Sequence, residues 1–217
     1  SIYTGGDQFA WTVLRGPDVV ATGTGPSFTF TPPDNDDYQV TLDVASSDGR
    51  TRRATGTVVV TDVAPRLTLG GAGAVAEGST YTLNLSASDP GTDTISSWSI
   101  NWGDGTALET VSGHPAAVIH VFANGPASHT VSAQAVNEDG TFAAGNTLAV
   151  TVANVAPTVT INGLPASSAE GTTINLTSTV TDPGGEPFTY AWTVTKDGVP
   201  YASGANRTLA FTPDDGP

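Results

Sequence analysis

Residues 97–106 read SWSINWGDGT, with tryptophans at 98 and 102 and a closing Gly103-Asp104-Gly105. The trio admits two readings, an active-site loop holding a catalytic aspartate or the turn of a structural hairpin. Glycine takes positive φ at no steric cost, and an aspartate in a turn accepts hydrogen bonds from nearby backbone amides. The alternating residues ahead of the trio read as a half-buried strand. The stretch therefore reads as strand and turn, with Asp104 serving the hairpin and Trp98 filling the space between two sheets, as Trp11 and Trp192 would in their own units.

The rest of the chain supports a module that repeats. VTDVAP at 60–65 returns as VANVAP at 152–157, and AEGSTYTLNLSASDPG at 76–91 returns as AEGTTINLTSTVTDPG at 169–184. Pro65 and Pro157 lie 92 residues apart, and Asp89 and Asp182 lie 93 apart. AWTV at 10–13 returns at 191–194, and FTFTPPDND at 28–36 resembles LAFTPDDGP at 209–217. A period of about 90 residues suits one small β-sandwich. The expected organisation is the back part of a first repeat at 1–63, a complete repeat at 64–155 and the front part of a third at 156–217. The chain then reads as a window cut from a longer array.

Within 64–155, RLTL, TYTLNLSAS, ISSWSINW, AAVIHVF, SHTVSAQAV and TLAVTVANV are expected strands. Leu83 and Leu85 share one face with Asn84 on the other, and Leu148, Val150 and Val152 share a face. Threonine, valine and alanine dominate, while 25 glycines and 15 prolines punctuate. That composition favours short strands over helices.

Charge excludes several function classes. The 217 residues carry 21 acids against 7 bases, a formal net charge of -14, which repels nucleic acid and anionic membrane surfaces. No apolar run is long enough to span a bilayer, and the start, SIYTGGDQ, lacks the basic and apolar regions of a signal peptide. With no cysteine there is no disulfide framework, no thiolate metal site and no cysteine nucleophile. Neither a Gly-x-Ser-x-Gly elbow nor a His-Glu-x-x-His pair is present. His114, His120 and His129 have no positioned partner in the sequence, His120 reading as a packing and hydrogen-bonding residue. The chain is expected not to be an enzyme.

NWGDGT followed by HVF and HTVSAQAVNEDG resembles the polycystic kidney disease (PKD) domain, an immunoglobulin-like β-sandwich. The likeness covers 64–155 nearly end to end. The flanking units resemble the same module or a cadherin-like relative but lack Gly-Asp-Gly; FTFTPPDNDDYQVTL resembles the tyrosine corner of immunoglobulin-like folds, with Tyr38 as its tyrosine. The resemblance implies an all-β chain of tandem sandwiches, one complete and two partial. It also implies the context of large bacterial extracellular surface proteins.

The acids have a pattern of their own. Between residues 67 and 155 lie seven carboxylates and no lysine or arginine. Oxygen ligands without nitrogen or sulfur partners suit calcium. In an immunoglobulin-like sandwich the second-to-third-strand loop and the last hairpin meet at the pole beside the incoming linker. One expected site therefore gathers Asp62, Asp89, Asp93, Asn137 and Asp139, and a second gathers Glu77, Asn154, Asp182 and Glu186. Short proline-bearing linkers imply a stiff array. The expected function is a structural or adhesive segment of a cell-surface stalk or fibre, its partners being neighbouring repeats or chains of the same type. Two alternatives stand beside it: a filament subunit assembled by strand complementation, and an accessory glycan- or protein-binding module of a secreted hydrolase.

Overall fold

A computed structural model describes residues 6–214, so the readings made on SIYTG at 1–5 and on Asp215-Gly216-Pro217 lie outside the described residues. Among the described residues there are eighteen strands and no helix, hence none long and apolar enough to cross a membrane. The chain is all-β.

The first unit is one antiparallel sheet of β1 (Gln8–Arg15), β2 (Asp18–Thr24), β3 (Asp36–Ala45) and β4 (Thr51–Val60), in the order β2-β1-β3-β4. The central unit holds β5 (Arg66–Gly71), β6 (Ala74–Ala76), β7 (Thr80–Ser88), β8 (Ser97–Asn101), β9 (Glu109–Ser112), β10 (Ala117–Val121), β11 (Ala127–Val136), β12 (Thr141–Ala143) and β13 (Leu148–Ala153). One of its sheets runs β10-β7-β5; the other runs β6-β13-β11-β8-β9, with β12 paired to β11. In the third unit, β14 (Thr158–Asn162), β15 (Ile174–Thr181) and β18 (Thr208–Phe211) make a sheet, and β16 (Trp192–Lys196) pairs with β17 (Val199–Gly204) as a hairpin.

Period-two burial builds the central core. On β7, Tyr81, Leu83 and Leu85 point inward while Thr82 and Asn84 face solvent. They meet Trp98, Ile100, Val131, Val150 and Val152 from the facing sheet. Burying a large apolar side chain in this way stabilises by roughly 1.5–3 kcal/mol. Trp98 is fully buried as the sequence suggests, but Trp11 and Trp192 are only half-buried. Their indole N–H groups instead donate to Gly25 O (3.0 Å) and Asn206 O (2.7 Å). The physical reason is that no complete second sheet faces them among the described residues. Three short strands, β6, β9 and β12, escape the sequence reading because three or four residues carry too little alternation to register. The tyrosine corner forms: the Tyr38 hydroxyl donates to Asp34 O at 2.8 Å, which fixes the loop entering β3.

Candidate cation sites at the two junctions

The Gly-Asp-Gly turn comes first, because it held the aspartate most open to a catalytic reading. Gly103 and Gly105 have φ of 75° and 86°, and Asp104 Oδ1 accepts from the Thr106 amide (3.0 Å) and hydroxyl (2.6 Å). Its Oδ2 lies 2.7 Å from His120 Nε2, and the imidazole stacks on Trp102 at a 4.3 Å centroid distance. Trp102 in turn donates to Glu109 Oε2 at 2.8 Å. Burial would raise the Asp104 pKa, but the Thr106 and His120 hydrogen bonds outweigh it and draw the carboxyl down to about 2. Both carboxylate oxygens are thus engaged in the turn and the aromatic stack. The sequence reading found the backbone bond but not the His120 pair, whose partner lies 16 residues away on the other sheet.

At the first junction two loops of the central unit meet a linker. Asp62 stands on the linker between β4 and β5, Asp89 and Asp93 on the β7–β8 loop, and Asn137 to Gly140 turn from β11 into β12. One carboxylate oxygen from each of Asp62, Asp93 and Asp139 falls within 4.8 Å of the others. Asp89 and Asn137 stand outside that trio: Asp89 Oδ1 accepts from Gly91 N (2.7 Å), and Asn137 Oδ1 accepts from the Asp139 and Gly140 amides (both 3.0 Å). Asx-turn bonding uses these oxygens locally, which spacing alone does not reveal.

The first unit adds residues that the sequence reading did not name. Thr92 Oγ1 donates to Asp34 Oδ2 (3.0 Å), and Asn35 Nδ2 donates to Asp139 Oδ1 (2.7 Å), so both bonds cross the junction. Arg15 bridges Asp34 (3.0 Å) and Asp36 (2.9 Å). The signal was the Asp34-Asn35-Asp36 run just ahead of Tyr38, read only as a corner.

Electrostatics mark this junction as short of positive charge. Burial, a hydrogen bond shared with Asp34, and the charges of Asp89, Asp34 and Asp139 push Asp93 up to about 6. Burial followed by Asp139 and Asp89 raises Asp62. Crowded carboxylates repel, and either a proton or a cation relieves them. Asp89 Oδ2 and Asp93 Oδ1 are buried without a hydrogen-bond partner. Orphaned, all-oxygen and anionic donors fit a hard cation.

At the second junction, oxygens of Glu77, Asp182 and Glu186 also fall within 4.8 Å of one another. Asp182 Oδ1 accepts from Gly184 N at 2.7 Å, repeating the Asp89–Gly91 bond, and Glu186 Oε2 is buried without a partner. The Asn154 amide, oriented so that its nitrogen donates, reaches Glu186 Oε1 (3.2 Å) and Gly125 O (3.1 Å). Glu77 differs from the other acids: it is 1% exposed, and its two oxygens accept from the Gly125 amide (2.5 Å) and the Val155 amide (2.7 Å). This set fits a cation less openly than the first, because Glu77 already has partners.

Comparison with known proteins agrees with the central unit. The PKD domain family model matches residues 62–152. A search of the curated proteins found no match. Among solved structures, the chain is similar to the chicken CNTN1 FN1–FN3 domains, at 11% identity and TM-score 0.32, covering 94% of this chain and 78% of that one. It is also similar to three N-terminal domains of the bacteriophage RB49 highly immunogenic outer capsid protein, at 14% identity, TM-score 0.33 and coverages of 93% and 69%. A third is Drosophila OTK extracellular domains 3–5, at 13% identity, TM-score 0.29 and coverages of 96% and 76%.

Proposed function

We propose that the chain, whose residues 62–152 match the PKD domain family and lie between two further β-sheet units, is a non-catalytic, load-bearing segment of an extracellular surface protein. Its junctions would bind calcium. The observation that carries this reading is that three carboxylates converge to within 4.8 Å at each junction, from two loops and the linker at the first and from a turn of the central unit and one loop of the third unit at the second. A cation held there would tie adjacent units through ligands that neither unit supplies alone. Asp62, Asp93 and Asp139, with Asp89 Oδ2 in reach of the same cleft, would hold it at the first junction; Asp182 and Glu186, beside Glu77 and Asn154, would hold it at the second. Calcium suits the donor set because it takes six to eight oxygens and tolerates irregular geometry. The chemistry supplied is charge neutralisation. Its mechanical result is a stiffer array, added to what the short linkers before Pro65 and Pro157 already impose.

Calorimetric titration of chelator-stripped protein with calcium chloride tests the proposal. Binding heat together with a rise in the unfolding midpoint is expected, and Asp93→Asn should weaken the first site. No heat, with an unfolding midpoint that is the same in chelator and in millimolar calcium, would remove the cation from the account and leave an acidic spacer.

A further inference from the structure

We infer that Glu77 is a metal-independent pin that sets the direction in which the chain leaves the central unit. The inference stands beside the calcium proposal and does not depend on it. Glu77 follows β6, whose parallel pairing with β13 aligns Ala76 with Ala153. Its own amide donates to Ala153 O, and the Gly78 amide donates to Phe122 O, both at 2.9 Å. The backbone is therefore fixed at the edge of the domain, and the side chain points across the end of the sheet. One oxygen reaches Gly125, in the loop before β11, and the other reaches Val155, two residues past the end of β13.

A carboxylate that is 99% shielded from water is costly to bury unless it is hydrogen-bonded. Amide-to-carboxylate bonds are among the stronger ones, and here two of them converge on one group from separate segments. The consequence falls on the linker. Val155 is held by its amide, Ala156 is restricted because proline follows it, and Pro157 has a fixed φ. Little torsional freedom is left between the last strand of the central unit and β14. The third unit also docks directly. A methyl group at Gly78 would stand 2.5 Å from Pro183 Cβ, and the Gly185 amide donates to Asn124 Oδ1 at 3.1 Å.

The first linker lacks such a tie among the described residues. Val63 occupies the place of Val155 one repeat earlier, but it is 59% exposed. The two junctions should therefore respond differently to chelation. Glu170 occupies the corresponding Ala-Glu-Gly turn of the third unit, where it is exposed.

The test uses the full 217-residue chain, whose lack of cysteine allows specific labelling. Spin labels at Thr82→Cys with Thr160→Cys report the second junction, and labels at Thr55→Cys with Thr82→Cys report the first. In excess chelator, a narrow distance distribution is expected at the second junction and a broader one at the first, where the Thr92–Asp34 and Asn35–Asp139 bonds that cross are solvent-exposed. Glu77→Ala should broaden the second about twofold whether calcium is present or absent, with Glu77→Gln in between and Asn124→Ala milder. Amide exchange of Val155 supplies a measurement that needs no variant: in chelator it should be strongly slowed. A Val155 amide exchanging at the unprotected rate would overturn the pin, as would Glu77→Gln and Asn124→Ala distributions that superimpose on the unmodified chain. A silent calcium titration would defeat the calcium proposal and leave the pin standing.

Discussion

Val150 and Val58 stand 92 residues apart at the same place in the repeat, yet Val150 is 0% exposed and Val58 is 51% exposed. Leu67 and Val159 differ in the same way, at 1% and 68%, as do Leu69 and Ile161, at 6% and 47%. In each pair the residue type and its place on a strand are similar, so neither side-chain chemistry nor local alternation explains the gap. The difference lies in the opposite sheet. The central unit pairs a three-stranded sheet with one facing it, whereas among the described residues the first unit has a single sheet and the third a sheet and a hairpin. Even strand formation follows this rule. Thr208–Phe211 forms β18 because β15 is there to pair with it, while the similar Phe28-Thr29-Phe30 has no such partner and forms no strand. Apolar alternation is thus a capacity for burial, and a second sheet converts it into stability.

The largest expected effect breaks the comparison at its centre. Trp98→Ala removes a fully buried indole and should cost roughly 3–5 kcal/mol of central-unit stability. Val58→Ala and Val159→Ala, changing half-exposed or exposed side chains, should each stay within about 0.5 kcal/mol. Denaturant unfolding monitored by tryptophan fluorescence measures all three. Comparable losses at Val58 and Trp98 would mean that β4 is packed in solution.

Much of this was legible in the sequence, and the part that was not has a common cause. The Gly-Asp-Gly turn, the tyrosine corner at Tyr38 and the inward face of β7 follow from local rules, because the residues that make each feature are neighbours or alternate along one strand. The Asp104–His120 pair, the Asp34 and Asn35 bonds across the first junction, and the amides that occupy Glu77 join residues between 16 and 104 positions apart. Fold topology says which loops share a pole but not which of their oxygens are already bonded. For the same reason the sequence groups Asp89 and Asn137 with Asp62, Asp93 and Asp139 without showing that Oδ1 of each bonds within its own turn.

Next in size is the turn that only the central unit possesses. Gly103 combines a φ of 75° with a position where an added Cβ would lie 2.5 Å from Thr130 O, whereas a Cβ at Gly105 meets open space. Gly103→Ala should therefore cost on the order of 2–3 kcal/mol, and Gly105→Ala only about 1 kcal/mol from backbone strain. Paired thermal melts check this, and equal effects would show that the turn shifts freely away from β11.

Acid sharpens the same contrast. The Asp104 carboxyl titrates at about 2 in the folded chain against 3.8 for an unperturbed group, so the unfolded state takes up this proton first. The associated stability is fully present above pH 4 and is lost as pH falls toward 2; it is on the order of 2 kcal/mol. The stability difference between the unmodified chain and Asp104→Asn should accordingly shrink across that window. A difference that stays constant from pH 5 to about 2 would show that the carboxylate charge contributes nothing.

The smallest expected effect lies on the exposed edge of the first unit, where it tests the comparison from the other side. Arg53 Nε and Nη2 donate to the two oxygens of Asp43, each at 2.8 Å, between residues directly opposite on β3 and β4. The geometry is bidentate, but the side chains are 68% and 41% exposed, so water and salt screen the pair. Exposed pairs of this kind contribute about 0–1 kcal/mol. Arg53→Ala should therefore change stability by no more than about 0.5 kcal/mol, and less at high ionic strength. A loss several times larger that persists in salt would show the pair to be desolvated. It would then follow that β4 carries a covering surface in solution, and that the exposed face of the first unit is a face with a partner.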